Sequence, residues 1–197
     1  MSKESNNGLR FEPWIGKNYK TYVDGKILLI GESHYLDEEL DPASNFTTAV
    51  IKQFLQGHKL PTPFFQRIGN IFDSNDYNSI WENIAFANLI QAGLSEAKSQ
   101  PTVDDIATIN PTFEILLKNL KPDKVLVFSK RLWNNWLTEE DATHVKEISA
   151  NNKKGNIWEY QRNGKKTLAM GINHASRMYG KSWSDWVPLV KKFINEN

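Results

Sequence analysis

Lys26-Ile27-Leu28-Leu29-Ile30-Gly31-Glu32-Ser33-His34-Tyr35 is the stretch whose reading decides the fold. Four aliphatic residues in a row, closed by a glycine and followed by polar side chains, predict a buried strand that delivers a loop to the carboxyl edge of a parallel sheet. In open α/β sheets ligands bind at that edge. Gly31 allows a turn or a close backbone approach to a ligand. Glu32, Ser33, His34 and Tyr35 bring a base, a nucleophile, a proton carrier and a phenol to one loop.

Further apolar runs repeat the design. Ile84 to Gln91 reads as a second buried strand interrupted by Asn88, and Lys124 to Ser129 as a third. Lys166 to Ile172 is a last strand that delivers Asn173-His174-Ala175-Ser176-Arg177-Met178. Helices are predicted between them: Phe46 to Leu55, capped by Asn45 or Ser44 and stopped by Gly57, and a helix after Pro63 with Phe65, Ile68 and Phe72 on one face. Asn110 to Leu120 follows, with Asn110 as cap and Pro111 at its first position. Lys130 to Leu137 is a short helix, and Trp183 to Ile194 closes the chain.

This alternation predicts an α/β protein, a three-layer α/β/α domain around a central, mostly parallel sheet of about four strands. Val145 to Ile148, Ile157 to Arg162 and Lys166 to Ile172 read as strands, the last two joined by Asn163-Gly164 as a C-terminal hairpin. Residues 1–8 are expected to be disordered, Leu9 to Tyr22 to be an irregular lead-in across the outside of the sheet, and Asp37 to Pro42 to be exposed. The tryptophan pairs Trp133/Trp136 and Trp183/Trp186 are expected to pack in the core or on helix faces.

The 197 residues suffice for one well-buried core, and no linker-like tract divides them. The absence of cysteine excludes disulfides, Cys-ligated zinc and Cys-ligated iron–sulfur clusters. The polar start lacks a signal-peptide apolar region, and no apolar run approaches the roughly 20 residues of a spanning helix. A cytoplasmic protein with no membrane role is expected. The net charge of +1 hides an asymmetry: residues 1–117 carry 9 Lys/Arg against 15 Asp/Glu, and residues 118–197 carry 15 against 8. A basic half can meet phosphates, or its lysines can be solvated surface.

Three strand-end signals stand in order: Gly31-Glu32-Ser33-His34-Tyr35, Asn88, and His174-Ala175-Ser176. Together they resemble the uracil-DNA glycosylase superfamily, whose members carry a first motif of the type G-[QE]-[DA]-P-[YG], a central strand ending in Asn, and a second motif H-P-S. Pro63-Phe64-Phe65-Gln66-Arg67-Ile68-Gly69 is similar to the P-F-x-x-R-x-G stretch of thermostable-type members, which places a base-stacking Phe. The resemblance covers about residues 26–190. The departures are His34 and Ala175 in place of the two prolines, which removes two φ constraints. Ser33 replaces the water-activating Asp, which leaves Glu32 as the nearest carboxylate, as in the G-E-A-P-G subgroup. That subgroup holds an iron–sulfur cluster on four cysteines, so a cluster-free, divergent member without cofactor is implied.

The resemblance implies a DNA glycosylase acting in base excision repair, with DNA as partner and a monomer as the working unit. Cleaving an N-glycosidic bond builds positive charge on the sugar and negative charge on the base. Glu32 would orient or deprotonate water and His174 would donate to the base anion. Asn88 would read the pyrimidine edge and Phe64 would stack on the flipped base, with Gly31, Ser33, Tyr35 and Ser176 around the substrate. Arg177 would lie near backbone phosphates, and Met178 would be the apolar wedge filling the gap in the duplex.

Each residue also has a plainer reading, as a cap, a strand end or a packing residue. Rival functions are a non-catalytic nucleic-acid or nucleotide binding module of the same fold and a serine hydrolase using Ser33 and His174, although the second Gly of G-x-S-x-G is missing. Metal hydrolysis through Glu32, His34 and His174 lacks an H-x-x-x-H or H-x-H spacing.

Overall fold

The computed structural model describes residues 8–35, 43–60, 63–94, 100–137 and 142–196. The expectations for residues 1–7 and for Asp37 to Pro42 lie outside these. The apolar runs become four adjacent parallel strands: β2 (Ile27–Gly31), β4 (Ala85–Asn88), β6 (Lys124–Phe128) and β9 (Lys165–Ile172). β2 and β6 are buried along their whole length, which is why they carry no polar alternation.

The sheet is larger than expected. It has seven strands, not about four: β1 (Trp14–Ile15), β4, β2, β6, β9, β8 (Lys153–Arg162) and β7 (Ala142–Ala150) lie side by side in that order. β1 comes from the lead-in and pairs antiparallel with β4 at one edge, with Trp14 Nε1 donating to the Trp81 carbonyl at 2.7 Å. At the other edge β8 pairs antiparallel with β9, and β7 pairs antiparallel with β8, so both extend the same sheet. The predicted hairpin is therefore part of the main sheet. Its two tight turns, Asn151-Asn152 and Asn163-Gly164, all have positive φ, as two-residue type I′ connections require. A separate parallel pair joins β3 (His34–Tyr35) to β5 (Gly93–Leu94).

Alternate residues of the central strands point into two cores. Ile27, Leu29, Phe86, Leu126 and Met170 pack with α1 (Phe46–Leu55), α2 (Phe64–Phe72) and α6 (Val187–Ile194). Leu28, Ile30, Ala85, Val125 and Ala169 pack on the opposite face with α4 (Ile109–Leu120) and α5 (Lys130–Asn135). Helices thus cover both faces. Burial of these side chains out of water is the main stabilising term, about 25 cal/mol per Å² of apolar surface. Among the described residues no helix is long and apolar enough to cross a membrane.

Local details differ from expectation. α4 starts at Ile109, so Asn110 lies inside its first turn and its side chain donates to the Trp136 carbonyl at 3.1 Å. A short helix, α3 (Val103–Ala107), precedes it with a capping box between Thr102 and Asp105. Trp133 and Trp186 are core residues as expected.

Gly171 in β9 sets the seat of α5. A Cβ there would lie 2.2 Å from Trp133 Cγ. Gly171→Ala is expected to destabilise the fold by roughly 2 kcal/mol through overpacking. Chemical denaturation checks this, and an unchanged midpoint would mean that α5 shifts freely.

Candidate functional site

The four parallel strands end at one place. Gly31 and Asn88 are register partners at the ends of β2 and β4. Ser129 follows β6, and His174 follows β9 by two residues. The carboxyl edge thereby gathers most of the chemically competent side chains singled out in the sequence. They enclose a cavity of about 470 Å³ whose lining includes Glu32, Tyr35, Phe64, Asn88, His174 and Ser176, with apolar walls from Phe46, Val50, Phe65 and Phe86. A second cavity of about 170 Å³ shares Glu32, Tyr35, His174 and Ser176 and adds Ser129, Lys130, Arg131, Asn173 and Arg177. One cavity is mainly aromatic and apolar; its neighbour is cationic.

Glu32 is buried and held on two sides. Ser129 Oγ donates to its Oε2 at 2.8 Å, and Arg131 forms an ion pair with its carboxylate. Arg131 is itself fixed, by donating to Gln100 at 2.9 Å and by lying 4.9 Å from the Trp136 ring. Glu32 is therefore a positioned negative charge with much of its lone-pair capacity used. Glu32→Gln is expected to lower stability by about 2 kcal/mol, because it leaves the Arg131 charge without its counter-charge. A double-mutant cycle with Arg131→Met measures the coupling, and strictly additive effects would remove this account.

His174 opens a short 3₁₀ turn (Ala175–Arg177), and the Ser176 backbone N–H donates to its Nδ1 at 3.2 Å. A backbone N–H can only donate, so the proton of the neutral ring resides on Nε2. Ser176 Oγ also lies 2.6 Å from Nδ1. Among the described residues Nε2–H has no hydrogen-bond partner. Burial pushes the imidazole pKa down to about 4, with Glu32 opposing and Arg177 and Arg131 reinforcing the shift. His174 is thus a neutral donor at physiological pH.

The loop bearing His174 is clamped from α2. Arg67 Nη1 donates to the carbonyls of Ala175 at 3.2 Å and Ser176 at 2.8 Å. Phe64, at the start of the same helix, packs against the His174 ring at 4.9 Å between centroids and is almost fully buried. Asn88 is buried at the cavity wall. Gly31 is required by Asn88 itself: a Cβ at residue 31 would lie 2.2 Å from Asn88 Oδ1. The glycine thus makes room for the amide.

Neither a protein-family model nor a curated protein matches this sequence. The site has to be read from its own geometry.

Ser33 and His34 also line the aromatic cavity, but their own contacts differ from those of Glu32 and His174. His34 is buried, with Nε2 2.9 Å from Thr47 Oγ1 and its ring edge-on to Phe11 and Phe46. Burial lowers its pKa to about 4, and its contacts are those of a packing residue joining β3 to α1. Among the described residues the buried Ser33 Oγ has no hydrogen-bond partner, so neither His34 nor His174 serves it as a base. Tyr35 borders both cavities, and burial, then the charge of Glu32, raises its phenol pKa. Among the described residues no group of three or more His, Asp or Glu gathers as a metal-ligand set.

Met178 corrects the sequence reading. It is 1% exposed and belongs to the core with Ala175 and Trp186, so it cannot act as a surface wedge in this conformation. The exposed apolar side chain there is Tyr179. Arg177 is exposed and borders the cationic cavity. The basic half as a whole does not converge on the site. Lys146, Lys154, Arg162, Lys165 and Lys166 are paired with carboxylates on or beside the β7–β8–β9 arm.

Ser129, Lys130, Arg131 and Arg67 were not assigned site roles in the sequence reading. The position just past a buried strand was the available signal for the first three; Arg67 had only its place in the Pro63–Gly69 stretch.

Proposed function

We propose that this is a DNA-glycosylase-like enzyme that hydrolyses the N-glycosidic bond of a flipped uracil or modified pyrimidine. The observation that carries the reading is the convergence of Glu32, Asn88, Phe64 and His174 on one cavity at the carboxyl edge of the parallel strands. Its volume lies in the range of small-molecule pockets, about 300–1,000 Å³. The order of the motifs, similar to that of the uracil-DNA glycosylase superfamily, gives a second line of support.

In this reading the base enters the aromatic cavity beside Phe64, and the Asn88 amide offers a donor and an acceptor to its edge. As the bond to the sugar lengthens, negative charge grows on the base and is met by the Nε2–H of neutral His174. Positive charge grows on the sugar and is met by the Glu32 carboxylate, which also orients water. The phosphates flanking the nucleotide meet Arg177 and Ser176 in the cationic cavity. Arg131 and Ser129 fix the position of the carboxylate.

The pairing of Glu32 with Arg131 and Ser129 also favours a second reading, a nucleic-acid or nucleotide binding module without turnover, because much of that carboxylate's lone-pair capacity is already taken. One experiment separates them. Purified protein is incubated with oligonucleotides carrying uracil or modified pyrimidines, single- and double-stranded, and abasic sites are counted alongside binding at several salt concentrations. The glycosylase reading expects abasic sites; the binding module expects salt-sensitive binding without them. Neither signal would overturn both.

A further inference from the structure

We propose that Lys130 is the nucleophile of a second activity, a lyase step on the aldehydic sugar of an abasic site in DNA. The inference rests on the reading that a deoxyribose lies where the two cavities meet. The cationic cavity shares Glu32, Tyr35, His174 and Ser176 with the aromatic one, so a sugar beside Glu32 and His174 borders both.

Lys130 is the one primary amine among the described residues lining either cavity. The guanidinium groups of Arg131 and Arg177 are not nucleophiles. Unlike Lys146, Lys154, Lys165 and Lys166, each on a carboxylate, Lys130 has no ion pair or side-chain hydrogen bond among the described residues. It is half-buried at the first position of α5, which is fixed by the Ser129 cap and by Trp133 seated against Gly171. Burial lowers its pKa from the ordinary lysine value, which raises the fraction present as free amine. A lysine so placed has the properties of a Schiff-base former.

The steps balance without any further reagent. The free amine of Lys130 attacks the C1′ aldehyde of the ring-opened sugar, and loss of one water gives the imine. A C2′ proton then passes to solvent water, its electron pair forms the C2′=C3′ bond, and the C3′–O bond breaks with its pair leaving on the phosphate. Water hydrolyses the imine and returns the amine.

The test uses preformed abasic DNA, so it does not depend on base release. Full-length protein is mixed with an end-labelled oligonucleotide containing one abasic site, in the presence of borohydride, and the covalent adduct is resolved by denaturing electrophoresis. Wild type is expected to give an adduct, mapped by peptide mass spectrometry to Lys130. Lys130→Arg, which keeps the charge, is expected to lose most of it while melting at the wild-type temperature. No wild-type adduct, or an undiminished adduct in Lys130→Arg, overturns the proposal. Base release without adduct would remove the lyase step and leave the glycosylase reading standing. An adduct at Lys130 without base release from any oligonucleotide would do the reverse.

Discussion

His174→Ala is expected to lower base release about 10²–10³-fold, the usual effect of removing one donor to a developing anion. The loss should fall on kcat, because the donor matters most when the base carries charge. In the glycosylase reading Arg177 and its neighbours hold the DNA, so affinity should change little. The pH profile adds a second readout. With the His174 pKa near 4, the ring is already neutral at pH 5, so the profile should show no His174 limb near 6.5. Unchanged turnover in His174→Ala, or an inflection near 6.5 that disappears in this variant, would remove the neutral-donor role.

Acid is expected to destabilise the protein well above the carboxylate range, because burial holds the His34 and His174 rings neutral. The pKa of His34 is about 4 in the fold against an ordinary 6.5, so between these values the unfolded chain binds the proton and the fold does not. Stability therefore rises with pH across that window: the contribution is fully present above about pH 6.5 and is lost as pH falls towards 4. A shift of this size corresponds to about 3 kcal/mol. His174, whose pKa is also lowered to about 4, adds in the same direction. Denaturation midpoints at pH 7, 5.5 and 4.5 measure the slope. His34→Phe, which suits the aromatic niche between Phe11 and Phe46, should flatten it. A wild-type curve that is level from pH 7 to 4.5 would contradict the buried neutral histidine.

What could be read from the sequence follows from what burial does to composition. The central strands show as aliphatic runs because both faces are covered, and their ends at Gly31, Asn88, Ser129 and Asn173 are where the site forms. The outer strands were less legible. β7 is largely exposed, so only its Val145 to Ile148 stretch reads as a strand, and β1, two residues long, leaves no apolar signature. The Asn151-Asn152 turn escaped notice because it lacks the glycine of Asn163-Gly164. At the site, motif positions located His174 and Glu32, but partners nearly 100 residues away in the chain, such as Arg131 and Ser129, leave no local pattern. Met178 was misplaced because spacing from His174 says nothing about which way a side chain faces. His34 and Ala175 are held by tertiary contacts: His34 is wedged between Phe11 and Phe46, and the Ala175 carbonyl accepts from Arg67.

The Arg67 clamp also fixes how the site can move. One guanidinium nitrogen ties the loop after β9 to α2 at two consecutive carbonyls, and the Phe64 ring leans on the His174 ring from the same helix. Phe64 and His174 are thereby coupled as one jaw, facing Asn88 and Glu32 on the strand ends as the other. In the glycosylase reading, this tie keeps the donor at a set distance from the stacking ring whatever the size of the occupant. Cutting it at Arg67 is then expected to let the two drift separately, and to widen tolerance for ill-fitting bases before activity is lost.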